Sequence, residues 1–213
     1  MSNLINKALK FVKEFFKEDT SGHYYYHTLR VYKTANKIAE KENANIELVS
    51  IIALLHDVDD CKLVGNDGKL FKNAKKFLTE NNVSLDKIQL ICSEISKISF
   101  KGNGKSCPDT LEGKIVQDAD RIDALGAIGI ARAFAYGSSK GRAMHLPNTP
   151  IKEYTNEKDY HNNNDTTINH FYQKLLKLTS LMNTSEAKRI AEKRNEFILE
   201  YLDEFFTEWN GND

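Results

Sequence analysis

"IELVSIIALLHDVDD", Ile46 to Asp60, decides how the chain folds. Its apolar residues, Ile46, Leu48, Val49, Ile51, Ile52, Ala53, Leu54 and Leu55, surround a helix on nearly every side. A helix over 46–58 is therefore expected at the centre of a core. The run then ends in His56, Asp57, Asp59 and Asp60, an imidazole and three carboxyl groups at the end of a buried element. Like charges this close repel, and an acid at a helix C-terminus has the wrong sign for the macrodipole. Some positive charge must make the arrangement tolerable.

The flanking sequence supplies helices for this centre to pack against. Residues 3–18 are amphipathic, and residues 24–42 carry the inward stripe His27, Val31, Ala35, Ile38 at helical spacing. A turn at Gly65-Asn66-Asp67-Gly68 precedes a helix over 69–80. Ser84 is the expected cap of a helix with the stripe Ile88, Ile91, Ile95, Ile98, and Asp109 with Glu112 is the expected capping arrangement of the next. That next helix contains IVQDADRIDALGAIGIARAFAYG, where Asp118, Asp120, Arg121 and Asp123 interrupt a small, apolar background. Buried charges of this kind should be paired, hydrogen-bonded or metal-bound. Residues 137–165 read as a long mobile loop, a lid candidate. Helices over 167–182 and 185–208 close the chain, the last with an aromatic stripe (Phe197, Tyr201, Phe205, Trp209) read as core packing. The expected fold is all-α, a single helical-bundle domain over 1–213 without internal repeats.

Composition narrows the function classes. A chain of 213 residues with 40% hydrophobic content can bury a real core. Thirty basic against thirty acidic residues leave no net charge to draw nucleic acid toward it, so general nucleic-acid binding is not expected. No run reaches the ~20 apolar residues that span a bilayer, and the N-terminal stretch lacks a signal-peptide pattern. Cys61, Cys92 and Cys107 form no CxxC pair and read as reduced thiols. A cytoplasmic location is expected.

His27 on one helix, His56 and Asp57 at the end of another and the acids around Asp120 in a third make a mixed nitrogen and oxygen donor set. Such a set suits manganese, iron, cobalt or zinc better than calcium. A dication would supply the missing charge and lower the pKa of a bound water. Spacing alone does not single out which acids bind, and one His-Asp pair is a weak signal.

The pattern H…HD…D over consecutive helices, through SGHYYYHTLRV, ALLHDVDDCKL, ISKISF, VQDADRIDALGAIGIAR and TTINHFYQKLL, resembles the HD-domain metal-dependent phosphohydrolase superfamily, in its small single-domain bacterial branch. The resemblance implies metal ligands His27, His56, Asp57 and Asp120, with Asp118 and Asp123 as neighbours in support. It implies Asp60 as the acid that orients or deprotonates the nucleophilic water, with Asp59 in reserve. His23, one helical turn before His27, is assigned substrate contact or proton transfer. Arg30, Lys62, Arg121 and Arg142 are the candidates for holding phosphate oxygens, although Arg121 is equally readable as a structural partner of Asp118 or Asp123. His145, His161 and His170 read mostly as surface or capping residues.

The resemblance implies a metal-dependent phosphohydrolase acting on a phosphorylated small molecule, with a nucleotide favoured. One divalent ion is expected, Mn2+ first, with Mg2+, Co2+, Ni2+, Fe2+ or Zn2+ as alternatives, because no histidine lies between Asp57 and Met144 to hold further metals. The Asp60-Cys61 pair reproduces only half of the acidic pair of the alarmone hydrolases, which counts against that substrate. The competing readings are a phosphodiesterase, a di-iron oxygenase, disfavoured by the missing histidines, and a non-catalytic nucleotide-sensing module with a structural metal. A homodimer is expected only because such assemblies are common.

Overall fold

The Ile46–Asp60 stretch folds as a helix followed by turns, in a computed structural model that describes residues 3–17, 25–60, 71–99, 106–151 and 165–212. The helix, α3 (Ile46–Leu55), stops earlier than its apolar run predicts, with His56 as its C-cap. Val49, Ile51, Ile52, Ala53, Leu54 and Leu55 have no exposed surface. Each large aliphatic side chain among them contributes ~1.5–3 kcal/mol by burial. The N-terminus of α3 is fixed twice. The Asn45 side chain accepts the Leu48 amide at 3.1 Å, and the Asn45 amide donates to Glu112 at 3.1 Å.

The described residues fall into two compact units, which divide between Asp120 and Arg121. In the first unit, α3 packs on α1 (Asn3–Phe15), α2 (Tyr25–Glu42) and α5 (Leu85–Ile95), and α5 in turn on α4 (Lys72–Glu80). The Ser50 hydroxyl donates to Asn36 at 2.9 Å, tying α3 to α2. The stripe of α2 is fully buried, His27 included at 1% exposure, because its period matches the helix. Phe11 of α1 stacks on Phe77 of α4 with centroids 4.9 Å apart.

Two of the expected caps are made differently. Ser84 stands at the N-cap of α5, but its hydroxyl makes no cap bond. Ahead of α6 (Leu111–Asp123), the capping residue is Thr110 and not Asp109: the Thr110 hydroxyl accepts the Gly113 amide at 3.0 Å. Buried Glu94 of α5 accepts the Thr110 amide at 3.0 Å and its hydroxyl at 2.7 Å. Asp109 instead pairs with Lys97, and Glu112 reaches Asn45.

The helix expected to run on past Asp123 is in fact two, α6 and α7 (Gly126–Ser139). Leu125 is extended (φ −114°, ψ 161°) and Gly126 has φ +70°, a conformation natural to glycine. A Cβ on Gly126 would stand 3.2 Å from Arg194, whose guanidinium donates to the Ile122 carbonyl at 2.7 Å. In the second unit α7 and a 3-10 helix (Leu175–Leu181) pack on α9 (Ser185–Asn210), and α8 (Thr167–Gln173) on both α7 and the 3-10 helix. The helix expected over 167–182 is thus α-helical only to Gln173, because Lys174 leaves helical geometry.

Helix α7 also runs two residues beyond the expected loop start, to Ser139. The next stretch is tethered: the Thr167 and Ile168 amides donate to the Ala143 and Met144 carbonyls, each at 3.0 Å. Buried Asp165 supports the junction, accepting the Thr166 amide at 2.8 Å, Asn169 at 2.8 Å and Gln173 at 2.5 Å. The centre of the expected lid, with His161, lies outside the described residues. The aromatic stripe of α9 is core only in part. Tyr201 packs against Phe134 and Phe171, whereas Phe197 and Trp209 are 46% and 45% exposed. No described helix is long and apolar enough to cross a membrane.

Candidate metal centre

His27, His56 and Asp57 present donor atoms that all lie within 4.8 Å of one another, and Asp120 adjoins this group through His27. His27 comes from the buried stripe of α2, His56 and Asp57 from the turn that ends α3, and Asp120 from α6. His27 Nε2 lies 3.4 Å from Asp57 Oδ2 and 3.4 Å from Asp120 Oδ1, and His56 Nε2 lies 3.3 Å from Asp57 Oδ2. The two imidazoles stand edge to face, with centroids 5.4 Å apart. His27, His56 and Asp57 are buried, while the Asp120 side chain keeps 27% of its surface exposed.

The orientation of His56 shows what the cluster lacks. Its Nδ1 lies 2.7 Å from the Ala53 carbonyl, an acceptor only, so Nδ1 carries a proton. In the neutral ring Nε2 then presents a lone pair toward Asp57, another acceptor, and this buried nitrogen has no hydrogen-bond partner. Two facing acceptors need a cation between them. A backbone carbonyl on the far nitrogen is the usual way a metal-binding histidine is held in one tautomer. The spacing fits as well: atoms each ~2.1 Å from a common ion lie ~3.0 Å apart at right angles and ~3.4 Å apart at the tetrahedral angle. The donor chemistry and separations therefore suit a divalent transition ion.

Without an ion, protons take up part of this role. Burial alone would lower the pKa of His56, but the Asp57 carboxylate beside it, helped by Asp120, leaves it above its ordinary value of 6.5. Burial likewise opposes ionisation of Asp120, yet the His27 ring bonded to it and the nearby His56 hold its carboxyl below 3.8.

The remaining sequence-assigned residues divide. Asp60 is half-buried three residues past Asp57, and its amide donates to the Asp57 carbonyl at 3.0 Å. Asp59, the reserve acid, is occupied otherwise: one oxygen accepts the Asn73 amide at 3.0 Å and the other the Ala74 amide at 2.9 Å. It caps α4 from outside, because Phe71 at the N-cap of that helix provides no side-chain bond. Arg30 is half-buried one turn beyond His27 on α2. Arg121 is buried and donates to the Leu181 carbonyl, a structural contact within the second unit, and Asp123 pairs with Arg132 at 2.5 Å. Asp118 is fully buried. Arg142, also of the second unit, holds its guanidinium 5.7 Å from the Tyr136 ring centre. His23 and Lys62 lie outside the described residues.

Neither described histidine of the second unit is a simple surface group. His145 packs edge-on against Phe205, Phe206 and Trp209, and its Nδ1 is buried without a partner. His170 is held neutral, its pKa pushed down to about 3 by burial and by the charges of Lys174 and Arg142. Sequence reasoning overlooked the Ala53 carbonyl and Asn73. A backbone acceptor leaves no residue signature, and Asn73 meets this turn only through folding.

The chain has counterparts among known proteins. The HD domain family matches residues 24–125, which include all four side chains of the cluster. An HD-superfamily hydrolase from Bacillus thuringiensis is 41% identical, with a TM-score of 0.76 over 97% of this chain and 96% of its own. A Lactobacillus plantarum protein is 36% identical, with a TM-score of 0.86 over 99% of each chain. Bacillus subtilis YpgQ, crystallised in complex with ADP, is 32% identical, with a TM-score of 0.76 over 96% of this chain and 94% of its own. With a donor set suited to a divalent ion and these relatives, the chain belongs to the HD-domain phosphohydrolase family.

Proposed function

We propose that this hydrolase uses one divalent ion, Mn2+ in first place, held by His27, His56, Asp57 and Asp120, to cleave phosphate or pyrophosphate from a nucleotide, with residues 1–213 acting as one functional domain. The observation that carries the reading is the buried, unpartnered Nε2 of His56 facing an Asp57 oxygen 3.3 Å away. A bound dication there would acidify water and offset charge on a phosphoryl group. The chain's own residues do the rest. Ala53 holds His56 in the tautomer that keeps Nε2 free to bind. Asp60 accepts the proton of the attacking water, and Arg30 holds phosphate oxygens, with His23 and Lys62 as further substrate contacts. The exposed edge of the Asp120 carboxylate favours catalysis over a purely structural metal, which would be closed on every side. Nucleotide recognition draws support from the ADP complex of YpgQ.

The test is a screen of nucleotides and sugar phosphates with Mn2+, Mg2+, Co2+ or Ni2+, with products identified by mass. The expected result is phosphate or pyrophosphate release from a nucleotide. Asp57→Asn and Asp120→Ala should lose metal and turnover together, and Asp60→Asn should keep metal and lose turnover. Full turnover by a metal-free Asp57→Asn protein would overturn the proposal.

A further inference from the structure

The turn that carries His56 and Asp57 is gripped from one side by α4. Asp59 lies two residues past Asp57, and its oxygens accept the first-turn amides of Asn73 and Ala74 at 3.0 and 2.9 Å. In the opposite direction the Asn73 side chain donates to the Val58 carbonyl at 2.9 Å. Three bonds thus join two adjacent residues of the turn to two adjacent residues of the helix. Val58 and Asp59 are buried, so these bonds work with little competition from water. Within the turn itself, the Val58 amide donates to Leu55 at 3.4 Å and the Asp60 amide to Asp57 at 3.0 Å.

We infer that Asn73 is a positioning residue of the metal centre, holding the His56–Asp60 turn so that Asp57 faces His27 and His56. Asp59 is its partner in this clamp. The inference rests on the proposed ligand set. Outer groups of this kind commonly set metal affinity by 10- to 100-fold. The isosteric change Asn73→Asp puts an acceptor against the Val58 carbonyl while adding a charge that suits the start of a helix. It therefore removes the side-chain bond to Val58, leaves the two amide bonds to Asp59 and spares α4.

The experiment measures Mn2+ dissociation constants by calorimetric titration, and the visible bands of the Co2+-loaded protein, for the wild type, Asn73→Asp, His56→Ala and Lys76→Gly. Lys76 is exposed on α4, and glycine there weakens the helix without touching the turn. Expected is a loss of ~10-fold or more in affinity and altered Co2+ bands for Asn73→Asp, with Lys76→Gly like the wild type. The positioning role is overturned if Asn73→Asp binds as tightly as the wild type with unchanged bands, or if Lys76→Gly weakens binding equally. If the wild type binds no ion, or His56→Ala binds as the wild type does, the ligand reading itself has failed, and with it the basis for a positioning role.

Discussion

Replacing Asp59 by alanine separates a structural acid from a catalytic one. Each of its two carboxylate bonds, at 3.0 and 2.9 Å, is a hydrogen bond to a charged group, worth a net ~1.5–3 kcal/mol. The two share one carboxylate and are not fully additive. Loss of a helix cap by itself costs ~0.5–2 kcal/mol. Asp59→Ala also leaves a buried Ala74 amide without an acceptor. Together these give a loss of ~2–4 kcal/mol, or roughly 5–15 °C in Tm for a chain of this size. Urea unfolding in the presence of EDTA measures it without a metal contribution, and amide exchange at Asn73 and Ala74 localises it. A change below ~0.5 kcal/mol with both amides still protected would refute the reasoning. Normal stability together with abolished turnover would instead restore Asp59 to the catalytic role that its sequence position implies.

The pH dependence of the metal-free protein follows from the cluster. His56 has a raised pKa, so its contribution to stability is present below 6.5 and lost as pH rises through the raised value. Asp120 has a lowered pKa, so its contribution is present above 3.8 and lost as pH falls through the lowered value. Tm in EDTA should therefore decline from ~pH 6 to ~pH 8 while the gain on adding Mn2+ grows, because the ion competes with the His56 proton; thermal melts across that range check both trends. His170 acts in the other direction. Its pKa falls from 6.5 to about 3, so the unfolded chain takes up a proton that the folded one refuses, and stability is lost as pH drops below 6.5. The slope is at most ~1.4 kcal/mol per pH unit. His170→Gln should flatten the melting curve between ~pH 6 and ~pH 4, and an unchanged slope would mean that His170 is not held neutral.

What the sequence made legible was the part written as local pattern. The apolar run of α3 and the His27 stripe of α2 carry their burial in their periodicity, and the family resemblance singles out Asp120 among the three aspartates of α6. Features that depend on partners distant along the chain were hidden. Asp59 reads as one more acid beside the His-Asp pair, and its duty appears only once Asn73 and Ala74 are folded against it. Glu94 sits in an apolar stripe with nothing to mark it as the support of Thr110. Leu125-Gly126 lies in a small-residue background that resembles close helix packing, which masked the break between α6 and α7. The aromatic stripe of α9 has helical period throughout, but periodicity does not say how far the packed surface extends, and Phe197 and Trp209 remain exposed.

The most direct test of the central claim is the number of Mn2+ ions bound by the purified chain, counted by equilibrium dialysis with metal analysis, beside His56→Ala and Asp120→Ala. The account predicts one ion per chain in the wild type, at least tenfold weaker binding in each variant and no change in helical content. An ion bound equally well by His56→Ala, or no ion bound by the wild type, would contradict it.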